Sequence, residues 1–242
     1  MNSPVADALQ QIGITKGECI GLLDRLKSFS PPDKHNRYPD TFRLIATPML
    51  YSIWERCFTL CHAIGLRLIR DMTEKVNDLD PTQRSVWLLQ TEFYKSMISR
   101  LRDGFAADIK KAKKGHFGLL CEFLPRLDEW QLDELDHSIS TDTLVMTFSN
   151  VNPDVVEINA LAIGISEFPA FRNLKLGRLH DLVGQRNGIG HGAVIDPPSN
   201  DIFLNLLTFT EDLVRDYCTV FSEWIVARFP ERSPDGLTLT TA

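Results

Sequence analysis

Apolar residues recur in steps of three and four along most of this chain. From Thr41 to Arg70 they fall at Phe42, Ile45, Met49, Ile53, Cys57, Leu60, Ile64 and Leu68, a single stripe on one long helix. Pro48 lies inside that stripe, so the helix either begins there or bends there. Ile202, Leu206, Phe209, Leu213, Tyr217, Val220 and Trp224 repeat the pattern near the other end. The spacing predicts a further helix over Gln83 to Phe105 and a shorter one over Pro153 to Ser166. Asn152 stands as an N-cap before Pro153 at the first helical position of the latter. Leu174 to Gly190 forms another helix, and residues 5–28 one more despite Gly13, Gly17 and Gly21.

Between these runs the breaks are sharp. Ser28 to Asp40, SFSPPDKHNRYPD, is a loop by its prolines and aspartates. Residues 104–150 carry no sustained period and read as an insertion, with a basic run and then an acidic one from Asp128 to Asp136. Within it TLVMTFS, Thr143 to Ser149, has the composition of a short strand. The predicted architecture is all-α. It is a single helical bundle over residues 1–230 with a partly irregular central insertion, followed by a polar tail over 231–242.

Composition narrows the function. The net charge of −6 excludes a globally basic nucleic-acid binder, so any phosphate-binding surface is a local patch. Cys19, Cys57, Cys61, Cys121 and Cys218 are odd in number and irregular in spacing, unlike a secreted disulfide framework. Cys57 and Cys61, with His62 beside them, lack a second ligand pair for zinc and read as buried helical cysteines, so no metal site is expected. The N-terminus has no basic and apolar leader pattern, and charges interrupt every long apolar stretch. A cytoplasmic protein without a membrane partner is expected.

Candidate chemistry gathers at LVGQRNGIGHGAVIDPPS, Leu182 to Ser199, where a helical run ends in an arginine, an amide, glycines and a histidine. An Arg-x4-His spacing is weak alone: Arg56 and His62 form a similar pair, but they lie about 240° apart on their helix and read as structural. Asn187 and His191, four apart, share one helical face, and Arg186 is long enough to reach it. Gly188 and Gly190 permit local unwinding, at a cost of roughly 1 kcal/mol each relative to alanine. The plainer alternative is a helix terminated by glycines, with Arg186 and His191 complementing its dipole.

The stretch LHDLVGQRNGIGHG resembles the signature of the HEPN superfamily, an arginine, a polar residue, three variable residues and a histidine closing a helix. Arg186, Asn187 and His191 match those positions. MLYSIWERCFTLC, Met49 to Cys61, resembles the early helix of the branch associated with ribosomal L-PSP proteins, with its Trp-Glu pair at Trp54 and Glu55. SNVNPDVVEINALAIGI, Ser149 to Ile165, is similar to that branch's Asn-rich entry into the middle helix. The likeness covers about 41–72 and 141–229. It departs at Gly190, where the branch more often has alanine, and at Ala193, where members silenced by adenylylation carry a tyrosine. The resemblance implies an all-α HEPN-like bundle that dimerises and cleaves RNA without metal or other cofactor. It also implies a toxin or antiviral effector with a neutralising or sensor protein as partner. The alternative is a non-catalytic HEPN dimer that binds RNA or nucleotide and regulates another protein.

These residue types suit RNA cleavage. The 2′-hydroxyl is the nucleophile, so a proton must leave it, another must reach the 5′-oxygen, and the phosphorane needs a counter-charge. Imidazole, which titrates near neutral pH, suits the proton transfers of His191. Guanidinium, always charged and able to grip two oxygens, suits Arg186. Asn187 either holds the imidazole tautomer or contacts phosphate. One histidine cannot easily serve both ends of an in-line reaction, whereas a two-fold dimer brings two into one cleft. Glu55 is a possible accessory residue, and Lys110, Lys111, Lys113 and Lys114 form a weak candidate RNA contact, more often a solvated loop. His180 reads as a helix-surface histidine, and Trp54, Trp87, Trp130 and Trp224 as core or interface anchors.

Overall fold

The computed structural model describes residues 3–104, 109–192 and 196–230, with side chains omitted at 103–104 and 109–114. The polar tail and Ala193 lie outside the described residues. Among the described residues the ordered elements are helical, with one isolated β-bridge between Lys75 and Glu134. Helices α1 (Pro4–Phe29), α2 (Asp40–Asp71) and α9 (Asn200–Arg228) pack on one another. Across this frame lie α6 (Pro153–Ile163), packed on α2 and on α3 (Pro81–Leu88), and α8 (Leu179–Gly190), packed on α2. The short α7 (Pro169–Arg172) rests against α9, while α4 (Glu92–Gly104) and α5 (Ile109–Trp130) pair as a hairpin.

Neighbours on several sides explain why α2 is buried well beyond one stripe. Leu50, Tyr51, Trp54, Phe58, Cys61 and Leu66 are all sealed from solvent, whereas Ile45 and Met49 of the predicted stripe are 59% and 46% exposed. The helix runs unbroken through Pro48, which leaves the carbonyl of Leu44 without its usual helical donor. Between α2 and α9 an aromatic cluster forms from Trp54, Phe58, His62, Tyr217 and Phe221, with ring centroids 4.5–6.3 Å apart. Gly65 brings α2 close to this cluster: a Cβ there would touch the Trp224 ring at 3.4 Å and Ile163 at 3.5 Å, ordinary contact distances.

Side-chain caps set three of the helix starts. Ser3, Asn152 and Ser199 accept from the backbone N–H of Ala6, Val155 and Ile202 at the starts of α1, α6 and α9. The expected helix from Gln83 to Phe105 is instead two. Thr91 donates its hydroxyl to the Leu88 carbonyl (2.8 Å) and accepts from the Tyr94 N–H, ending α3 and starting α4. The expected helix from Leu174 begins only at Leu179, after a 3-10 turn over Leu176–Arg178.

The insertion holds two further corrections. Helix α5 occupies Ile109–Trp130 despite Gly115, Gly118 and Pro125, so the lysine run lies on a helical backbone and not in a loop; its side chains are outside the described set. Thr143 to Ser149 is not a strand. Thr141–Leu144 forms a 3-10 turn, and the buried Asn159 side chain takes both backbone groups of Met146, accepting its N–H (2.9 Å) and donating to its carbonyl (2.7 Å). A backbone already bonded to a side chain has nothing left for a ladder. No described helix is long and apolar enough to cross a membrane.

Candidate active site

Helix α8 packs its Leu179, Leu182 and Val183 on α2, and Arg186 continues that stripe at the next turn. The position that would be apolar in an ordinary amphipathic helix is therefore a guanidinium aimed at α2. It is half-buried, and its Cζ stands 5.0 Å from the centroid of the Tyr51 ring. Its Nη1 donates to Asn150 Oδ1 (3.1 Å) and to Asn187 Oδ1 (2.9 Å). No carboxylate among the described residues pairs with it. Two neutral amides and a π face orient the cation without cancelling its charge.

Tyr51 is the hub beneath. Its hydroxyl accepts from the Val151 N–H (2.8 Å) and donates to Glu55 Oε1 (3.1 Å), while Trp54 Nε1 donates to the Val151 carbonyl (3.3 Å). Tyr51 and Trp54 of α2 thereby hold the segment that carries Asn150 against Arg186, with Glu55 fixing the Tyr51 hydroxyl. Burial pushes the Tyr51 phenol up to about 12, so it acts as a neutral donor and acceptor. Glu55 is half-buried and bonded to this phenol, which ties it to the arginine through one intervening residue.

His191 is the C-cap of α8. Its backbone N–H donates to Asn187 (3.0 Å), and Gly192 follows with φ of 67°, the left-handed turn that glycine adopts freely. The helix thus continues through Gly188 to Gly190 without local unwinding, and of the three glycines only Gly192 makes the turn that ends it. The imidazole is exposed and bonds to no described residue. Asn187 turns its oxygen to Arg186.

Arg186 and Glu55 meet at Tyr51, Asn187 bonds to Arg186, and His191 stands one turn beyond Asn187 at the exposed end of α8. Tyr51 and Asn150 went unmarked in the sequence reading, although both lie inside the stretches that carry the family likeness. The only sequence signal for Tyr51 is its place four residues before Glu55, on the same helical face. His180 is exposed, Arg56 pairs on the surface with Glu18 (2.7 Å), and His62 is buried against Tyr217 (2.7 Å), as their structural readings required. Trp54, Trp87 and Trp224 are core residues, and Trp130 packs partly buried against the core. A cavity of about 680 Å³ lined by Trp87, Phe93, Arg126, Trp130 and Asp133 contains none of the motif residues.

No curated protein and no solved structure matches the chain. A family model described as RiboL-PSP-HEPN matches residues 18–223, a longer span than the motifs alone indicated. With the helical bundle and the arginine–histidine helix end in place, the chain belongs to the RiboL-PSP-HEPN family.

Proposed function

We propose that the chain is an endoribonuclease of HEPN type, in which two copies join their α8 ends in one cleft. HEPN domains serve ribonuclease or nucleotide-binding roles, and the arrangement at α8 favours the first. The observation that carries this reading is Arg186: a half-buried guanidinium oriented by neutral amides and an aromatic ring, its positive charge unspent. Such a group meets the scissile phosphodiester and the phosphorane formed from it at low reorganisation cost. His191, exposed at the end of α8, supplies proton transfer.

In this mechanism His191 of one copy takes the proton of the 2′-hydroxyl. The oxygen attacks the adjacent phosphorus, and the second His191 protonates the departing 5′-oxygen. Arg186 compensates the phosphorane charge, and the products are a 2′,3′-cyclic phosphate and a 5′-hydroxyl. Metal plays no part in these steps. Asn187 and Asn150 hold the guanidinium plane, and Glu55 orients the Tyr51 hydroxyl beneath it. The Lys110 to Lys114 run adds a local positive field for RNA. A toxin or antiviral effector, held in check by a neutralising or sensor protein, is the setting that suits such an activity.

The test is incubation of purified chain with total RNA in EDTA, followed by end-group analysis. Cyclic-phosphate ends from the wild type, and none from His191→Ala with an unchanged helical spectrum, are expected. RNA binding without cleavage would instead identify a non-catalytic dimer. Strict dependence on added magnesium would overturn the metal-free scheme.

A further inference from the structure

Four of the five cysteines are buried, and they meet where α1, α2 and α9 join. Cys57 and Cys61, four apart on α2, turn their sulfurs to one face. Cys218 of α9 approaches them at 3.6 Å and 3.9 Å, Sγ to Sγ. The three sulfurs all lie within 4.8 Å of one another. Cys19 of α1 stands next to Cys57, its own thiol directed to the Ile53 carbonyl (3.9 Å). Singly, buried cysteines are ordinary core residues; here three sulfurs from two helices converge on one point.

These separations suit a soft metal ion. A metal–sulfur bond of about 2.3 Å places ligand sulfurs about 3.8 Å apart in a tetrahedron and about 4.0 Å apart in a trigonal plane. We propose that Cys57, Cys61 and Cys218 form a buried three-sulfur site for a thiophilic monovalent cation, Cu(I). Three thiolates without a fourth donor in the same group favour three-coordinate Cu(I) over zinc, whose structural sites are closed by four ligands. Loading exchanges three S–H protons, released to water, for one cation bound to three sulfurs, which leaves a net charge of −2 at the site. The remaining negative charge faces Lys16, whose Nζ donates to Thr219 Oγ1 (3.2 Å) beside Cys218, and Arg56, which acts on Cys19.

The site is sealed, with Cys57 and Cys61 at 0% exposure and Cys218 at 1%. Cu(I) therefore enters while the chain folds, or when α1 lifts from α2 and α9. Once bound, it ties α2 to α9 independently of the RNA-cleaving end of α8, so its test needs no nuclease readout.

The experiment refolds the full chain without oxygen in the presence of Cu(I) supplied from its bathocuproine disulfonate complex. One copper per chain, three sulfur scatterers in X-ray absorption, and a higher melting temperature than the metal-free protein are expected. Cys218→Ser loses the copper, whereas Cys19→Ser and Cys121→Ser, the latter at the exposed cysteine, keep it with the same sulfur count. If Cys218→Ser fails to fold, the sulfur count of the wild type decides. Copper that disappears in Cys121→Ser, a two-sulfur or nitrogen-rich coordination shell, no loading at all, or tighter retention of Zn(II) that requires Cys19 would each overturn the proposal.

Discussion

Arg186 on α8 and Tyr51 on α2 meet as cation and ring, 5.0 Å from guanidinium carbon to ring centroid. The same tyrosine hydroxyl receives the N–H of Val151, a fully buried residue. One side chain thus shapes the arginine from below and anchors the segment bearing Asn150, which holds the arginine from the side. Tyr51→Phe keeps the ring and strips the Val151 N–H of its acceptor, at about 1–3 kcal/mol for a buried donor left unpaired. In a domain of this size that lowers the melting temperature by roughly 2–4 °C per kcal/mol. RNA cleavage should fall too, because Asn150 loses its fixed position. Unchanged melting and unchanged cleavage in Tyr51→Phe would show that the hydroxyl organises nothing.

Arg186→Lys preserves a positive charge but cannot reproduce a planar fork held between two amide oxygens and a ring. Turnover is expected to fall at least about tenfold, a loss of ~1.4 kcal/mol at the transition state. RNA affinity should change much less, since the missing grip matters most at the phosphorane. Single-turnover rates alongside direct binding separate the two. Near-normal turnover would reduce Arg186 to a helix-end charge.

Assembly is tested by mixing Arg186→Ala with His191→Ala subunits. If one cleft needs both histidines, every dimer in the mixture lacks at least one group and stays silent, which is the expected result. Partial recovery would mean that one arginine and one histidine suffice in any arrangement. Full activity in a fraction shown by sedimentation to be purely monomeric would remove the composite cleft altogether.

Burial holds His62 down to about 3, against an ordinary imidazole near 6.5. Below pH 6.5 the unfolded chain therefore binds a proton that the folded chain excludes, and stability falls as pH drops toward 3. The slope is up to roughly 1.4 kcal/mol per pH unit within that window, and the loss is absent above it. His62→Gln should flatten the dependence between pH 6 and pH 4 by about that slope, as measured by denaturant midpoints. An identical slope in the variant would place the acid sensitivity elsewhere.

Periodicity determined α2 and α9, because an apolar stripe in steps of three and four buries itself as a helix, whereas α5 had no sustained period to announce it. The sequence also marked the end of α8, where Arg186, Asn187 and His191 stand within six positions and need no distant partner to be noticed. What the tertiary structure decided rests on contacts with no local period. Tyr51 finds Val151 across 100 positions, Arg186 finds Asn150 across 36, and Cys57 finds Cys218 across 161. Thr143 to Ser149 had the composition of a strand, yet the Asn159 amide took both backbone groups of Met146 and left no edge to pair. Gln83 to Phe105 had one helical period, yet the hydroxyl of Thr91 divided it. A side chain that captures a backbone group overrides propensities worth only tenths of a kcal/mol per residue, and which backbone it reaches depends on the folded neighbours that bring the two together.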